Sequence, residues 1–169
     1  MDETNGCVDG REAKAPGLGF SLTDLHMDLL TLHHLQRCCL RPAARGMGLG
    51  PGQPRMLSYL GVHGPATQRD IAAYFQVDAA AVSRMLDALA RNGFVRLAPG
   101  PDRRTKVAAL TPAGEEALSA WDGACRAFDK AALAGFTAAE RAQLEGLIGR
   151  LRANIEAEGL QRKGGASHA

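Results

Sequence analysis

Residues 67–114 read TQRDIAAYFQVDAAAVSRMLDALARNGFVRLAPGPDRRTKVAALTPAG, and this stretch decides the fold. It opens on Thr67-Gln-Arg-Asp70, where a hydroxyl and a carboxylate three residues apart can satisfy the first free N–H groups of a helix. A helix over 68–75 follows, with Ile71 and Phe75 inward. Gln76-Val77-Asp78 is a short connection, and Asp78 can cap a helix over 79–91 whose apolar positions are Val82, Met85, Leu86 and Leu89. Asn92-Gly93 stops that helix, because glycine tolerates the left-handed conformation needed there. The period then changes. Phe94–Leu97 and Lys106–Leu110 read as two strands around the turn Pro99-Gly-Pro-Asp102. Thr111-Pro112 supplies an N-cap and a proline at the first helical position.

Two short helices joined by a three- or four-residue turn, then a hairpin, make a helix-turn-helix with a wing. The physics suits DNA. A helix fits the major groove of B-DNA, the first helix braces against the backbone, and the hairpin can send a basic side chain into the minor groove. The core face of helix 79–91 leaves Ala79, Ala80, Ser83, Arg84, Asp87 and Arg91 outward or on the flanks. Arg84 suits a guanine edge, Ser83 and the alanines allow close approach, and alanine methyls can touch thymine methyls. A solvated helix face is the bland reading of the same residues.

The hairpin tip is sharper. Asp102-Arg103-Arg104-Thr105-Lys106 places three cations around one carboxylate. Asp102 can hold Arg104 extended through a charge-assisted pair, and a pre-oriented arginine suits a narrow minor groove. A loop kept soluble by charge is the alternative, but the position behind a helix-turn-helix favours DNA. The expected DNA-binding set is Thr67, Gln68, Ala79, Ala80, Ser83, Arg84, Arg91, Asp102, Arg103, Arg104 and Lys106.

Outward from this unit, residues 53–62 read as a short helix followed by the turn His63-Gly64-Pro65. Ser21-Leu-Thr-Asp24 is a further cap signal, and Leu22, Leu25, Leu29 and Leu32 place a first helix over 21–41, ended by Pro42 and the glycine-rich stretch 46–52. Behind Pro112 a long helix reaches about Leu133. Thr137-Ala-Ala-Glu140 opens a last helix, to about 157. Leu133, Phe136, Leu144, Leu147, Ile148, Leu151 and Ile155 give that end of the chain an apolar stripe, and these flanking helices exceed what one small winged core needs for burial. Residues 1–17 and 161–169 read as tails.

The expected class is therefore mainly α with a small β-hairpin wing: one domain over 18–160, its winged core at 53–114, with flanking helices at 21–41 and 112–158. The 169 residues suit that count, and 46% hydrophobic residues exclude wholesale disorder. No apolar run reaches a membrane span, and no leader pattern opens the chain, which points to the cytoplasm. The net charge of +2 conceals a local excess: residues 67–106 hold seven basic and four acidic side chains. The usual phosphate-loop, HExxH and GxSxG signatures of enzymes are absent, so no enzyme and no required cofactor are expected.

Residues 53–114 resemble the DNA-binding core of the multiple-antibiotic-resistance-regulator (MarR) family of bacterial winged-helix transcription factors. The resemblance is carried by Thr67-Gln-Arg-Asp-Ile-Ala72, Val77-Asp-Ala-Ala-Ala-Val-Ser-Arg-Met-Leu-Asp87, Leu89-Ala-Arg-Asn-Gly-Phe-Val95, Asp102-Arg-Arg104 and Leu110-Thr-Pro-Ala-Gly114. It implies a homodimer on a pseudo-palindromic operator of double-stranded DNA, a repressor released by a small molecule, a metal or an oxidant, with the first and last two helices forming the dimer.

For a sensor, the first helix offers His26, His33, His34, Cys38 and Cys39. His34 and Cys38 are i, i+4 and could chelate a soft divalent metal. Cys38 or Cys39 could instead be a redox thiol. Against both stands the plain reading of small buried thiols and half-exposed histidines. Tyr59 and Tyr74 are the only tyrosines, which counts against an oxidant sensor of the kind that pairs cysteine with tyrosine. An aromatic-ligand pocket between the first helix and the winged core is a further option, although Trp121, Phe128 and Phe136 suit a core. Outside DNA regulation, the competing class is a winged-helix protein-interaction module, which the cationic hairpin tip argues against.

Overall fold

A computed structural model describes residues 25–100 and 105–165, the last six as backbone only. The elements in chain order are α1 (Leu25–Gly46), α2 (Gln53–His63), β1 (Ala66–Thr67), α3 (Gln68–Phe75), α4 (Ala79–Arg91), β2 (Val95–Pro99), β3 (Lys106–Leu110), α5 (Pro112–Ala132) and α6 (Ala138–Gly165). The chain is mostly helical with one small antiparallel sheet, as expected from its sequence. It divides into two compact units after Phe128.

In the first unit, one core gathers Met56, Leu57 and Leu60 of α2, Ile71 and Ala72 of α3, Val82, Leu86 and Leu89 of α4, Val95 and Ala108 of the sheet, and Ala117 of α5. Met56, Leu57, Ile71, Val82 and Leu89 are fully enclosed. Side chains of this size each contribute about 1.5–3 kcal/mol by leaving water. Phe75 and Met85, both inward by sequence spacing, sit half-buried at the rim of this core.

Three helices of the unit end in one way. At the end of α1, Leu49 N–H bonds the Ala44 carbonyl (2.9 Å) and Gly48 N–H the Arg45 carbonyl (2.9 Å). At the end of α3, Val77 bonds Ala72 (3.0 Å) and Gln76 bonds Ala73 (3.3 Å). At the end of α4, Phe94 bonds Leu89 (2.9 Å) and Gly93 bonds Ala90 (3.0 Å). These are Schellman closures, which need a left-handed residue just past the helix. Gly48 (φ 74°) and Gly93 (φ 78°) supply it freely, whereas the α3 closure uses Gln76 (φ 51°), the single non-glycine residue at positive φ among those described.

The structure corrects the first helix. It runs through Pro42 to Gly46 instead of stopping at 41. Proline removes one N–H and crowds the carbonyl four residues back. Helix-favouring Ala43 and Ala44 follow, however, and Leu40 and Ala44 are buried, so packing carries the helix to the Gly48 closure. The expected hairpin is present, with Val95 paired to Leu110 and Pro99 to Lys106. A third strand has no counterpart in the sequence expectation: β1 pairs Ala66 with Ala108 and Thr67 with Val107, giving the order β1-β3-β2.

In the second unit, Thr137 caps α6: its hydroxyl accepts from Glu140 N–H (3.2 Å), and Thr137 N–H donates to Glu140 Oε2 (2.7 Å). Arg141 Nη2 donates to the Leu133 carbonyl (3.0 Å), bracing the preceding turn. The helix continues to Gly165, beyond the expected end at 157 and into the stretch read as a tail from 161. The sequence Glu-Ala-Glu before Gly159 and Leu-Gln-Arg-Lys after it favours helix, and the one glycine between them costs only about 1 kcal/mol, while Gly164 and Gly165 fall at the helix end. The cap expected at Ser21–Asp24, the tail 1–17 and residues 166–169 lie outside the described residues.

Candidate nucleic-acid interface

Helix α3 is placed by a reciprocal cap. Asp70 N–H donates to Thr67 Oγ1 (3.2 Å), and Thr67 donates to Asp70 Oδ2 from its hydroxyl (2.7 Å) and its backbone N–H (3.1 Å). These bonds to the charged carboxylate, the hydroxyl's first, hold the Asp70 pKa below its ordinary value. Thr67 is one of the residues expected to face DNA; its hydroxyl is engaged in the cap. Gln68 is half-buried at the first helical position.

Across the turn, Asp78 Oδ2 accepts from Ala81 N–H (2.9 Å) and starts α4. With Val82, Leu86 and Leu89 buried, the opposite face carries exposed Ala79, Ala80, Arg84 and Arg91, with Ser83 and Asp87 half-buried beside them. Two exposed alanines ahead of an exposed arginine leave the first turn of α4 low enough for close approach to a groove. Lys106, at the foot of β3, and Arg96 on β2 are exposed too. The Gly100 N–H bonds the Thr105 carbonyl (2.7 Å) at the outer end of the hairpin. Asp102, Arg103 and Arg104, expected at the tip, lie outside the described residues.

A junction that sequence reasoning does not reveal ties α4 to α5. Thr111 Oγ1 donates to the Gly93 carbonyl (2.6 Å) and accepts from Gly114 N–H (3.1 Å), while Thr111 N–H donates to the Phe94 carbonyl (3.1 Å). Gly114 is buried, and a side chain there would collide with the Phe94 carbonyl oxygen. Thr111-Pro112 signals a helix start; the long-range half of the junction, eighteen residues back, carries no local signal.

The sensor candidates lie on α1. His34 Nε2 and Cys38 Sγ are 3.5 Å apart. Cys38 is half-buried, while Cys39, His26 and His33 are exposed. Among the described residues no three His, Cys, Asp or Glu side chains converge as a metal cluster. The aromatic side chains behave differently from expectation. Tyr59, His63, Tyr74 and Phe75 form one contact group, with Tyr59 4.5 Å from His63 and 4.9 Å from Tyr74 between ring centroids. Arg55 stands 5.3 Å over the Phe75 ring. Together with Trp121 they line a cavity of about 270 Å³ between α2, α3 and α5. Trp121 also packs against the core, and Phe128 is half-buried. Phe136, in the second unit, is exposed. The i, i+4 pair Tyr59/His63 is the sequence signal available for this group. A second, open cleft of about 540 Å³ lies between the Gly64-Pro65 turn, β2 and α5, edged by Arg96, Glu115, Asp122 and Arg126.

Comparison with known proteins places this geometry. A family model described as MarR family matches residues 47–105. The uncharacterized HTH-type transcriptional regulator YwoH of Bacillus subtilis is 34% identical over 89 residues, 53% of this chain. The chain spans 65% of that relative's length. A probable transcriptional regulator from Pseudomonas aeruginosa is similar in structure with TM-score 0.63 and 30% identity, over 78% of this chain and 99% of its own. The Staphylococcus aureus MarR structure in complex with salicylate and kanamycin gives TM-score 0.74 at 17% identity, over 81% of this chain and 93% of its own, and attests the fold. The capped α3–α4 pair and β2 lie inside the matched stretch, and over residues 47–105 the chain is similar to the MarR family of transcriptional regulators, whose winged helix-turn-helix fold it shares.

Proposed function

We propose that the chain is a cytoplasmic, homodimeric repressor that binds a pseudo-palindromic operator in double-stranded DNA and releases it when a small effector binds. The observation that carries DNA reading is the outward face of α4: Ala79, Ala80 and Arg84 exposed on a helix whose other side is locked into the core. Arg84 reads a base edge in the major groove; Lys106, with the basic sequence Arg103-Arg104 before it, holds the flanking backbone and minor groove. Thr67 serves as the cap of the bracing helix and offers DNA its position more than its hydroxyl.

Dimerisation is supported by apolar surface that the single chain leaves open. Leu25, Met27, Leu29, Leu30, Leu32 and Leu35 of α1 are 38–63% exposed, and Leu147, Ile148 and Ile155 of α6 are 51–57% exposed. A helix apolar on several sides is one that an assembly encloses. Effector binding is supported by the aromatic cavity beside α3, where an occupant would bear directly on the helix pair. The Staphylococcus aureus relative, solved with salicylate and kanamycin, sets the precedent for small ligands in this fold. No helix among the described residues is long and apolar enough to cross a membrane. The test is selection of duplexes from a random pool by the purified chain: a twofold-symmetric site bound with steep salt dependence supports the reading, and absence of salt-dependent binding refutes it.

A further inference from the structure

We propose that His34 and Cys38 are one half of a zinc-type metal site, completed as a Cys2His2 tetrahedron by the same two residues of a second copy of the chain. The inference rests on the dimer in the function proposed above and adds a ligand to it. Three observations carry it, set against the geometry of zinc. A tetrahedral zinc ion with bonds of about 2.3 Å to sulfur and about 2.0–2.1 Å to nitrogen holds those two atoms about 3.5–3.6 Å apart. His34 Nε2 and Cys38 Sγ stand at 3.5 Å, one helical turn apart on α1, the separation that a shared metal ion requires. Among the described residues no third ligating side chain joins them, so within one chain the site is a two-donor half. The stripe that holds them continues backwards at helical spacing through Leu30 and Met27, which are 59% and 44% exposed. An apolar stripe ending in a soft chelating pair is a surface that a second copy covers: Met27 and Leu30 supply apolar contact, and the two pairs supply four donors.

The chemistry is closed without an oxidant. Each Cys38 thiol passes its proton to solvent as its sulfur–metal bond forms, each His34 gives the Nε2 lone pair, and the aqua ligands of the ion leave. Two thiolates then cancel the charge of a divalent ion, which suits an interface shielded from water.

Cobalt(II) serves as the spectroscopic probe, added to the reduced full chain, with the mass of the metal-free chain measured beforehand. The proposal predicts saturation at one cobalt per two chains, intense visible bands of tetrahedral cobalt with thiolate charge transfer, and their bleaching by zinc. Cys38→Ser and His34→Ala abolish those bands, while Cys39→Ser keeps them. Saturation at one cobalt per chain, octahedral cobalt without a thiolate band, or bands that survive Cys38→Ser overturns the shared site. The metal-free mass reads the dimer separately. A dimer without these bands refutes only the metal site, and a monomer both with and without cobalt refutes the site together with the dimer.

Discussion

The Thr111 hydroxyl donates to the Gly93 carbonyl at 2.6 Å, joining the start of α5 to the end of α4 across eighteen residues. The hairpin β2–β3 lies between the two, so this bond closes the wing onto the proposed reading helix α4. The same hydroxyl accepts from Gly114 N–H. Thr111→Val removes both bonds while keeping the shape. Loss of a threonine cap costs about 0.5–2 kcal/mol, and the second bond places this variant at the upper end. Urea unfolding reads the loss in midpoint with an unchanged slope.

Gly93→Ala and Gly114→Ala separate two reasons for glycine. Gly93 has φ 78° and open space around it, so alanine there meets backbone strain of about 1–2 kcal/mol. Gly114→Ala would drive a methyl into the Phe94 carbonyl, the acceptor of Thr111 N–H. Gly114→Ala is therefore the more destabilising of the two and shifts the wing. Paired thermal melts check the order; equal losses contradict it.

Those two glycines also show what the sequence could tell. Asn92-Gly93 announced a stop because the closure is local, and the α3 and α4 limits were legible for the same reason: caps at Thr67 and Asp78 act within three residues. Pro42 misled because burial of Leu40 and Ala44 outweighed a local rule. Strand β1 has two residues and no period to detect. Arg84 was legible as outward from the spacing of Val82, Leu86 and Leu89. The aromatic group was not, because Tyr59 and Tyr74 meet only once α2 and α3 pack.

Acid titration reports the caps. Asp70 and Glu140 each have a pKa below the ordinary values of 3.8 and 4.5, held there by hydrogen bonds from Thr67 and Thr137. For Asp70 the hydroxyl bond is the larger cause, and for Glu140 the backbone N–H bond is. A lowered folded pKa means that the stabilisation is complete above the unfolded value and is lost as pH falls through the folded one. Melting temperature therefore drops below about pH 4.5 in the wild type. The double variant Asp70→Asn, Glu140→Gln starts lower at neutral pH and falls less steeply. Parallel curves contradict the assignment.

Backbone and base contacts differ in their salt signatures. Lys106→Ala weakens binding to all duplexes alike and reduces the slope of log affinity against log salt by about 1 for each phosphate that the lysine neutralises. Arg104→Ala weakens binding broadly as well. A sequence-dependent effect of Lys106→Ala in fluorescence anisotropy contradicts its placement on the backbone.

The most direct measurement compares the wild type and Arg84→Ala on a duplex selected by the wild type and on a scrambled duplex, at one fixed salt concentration. A bidentate base contact is worth about 1–3 kcal/mol, and a twofold dimer carries two. The account predicts a loss of affinity of about tenfold or more on the selected duplex, little change on the scrambled one, and relaxed preference at one base pair in each half-site. Equal affinity of the two proteins for the selected duplex would contradict α4 as the reading helix.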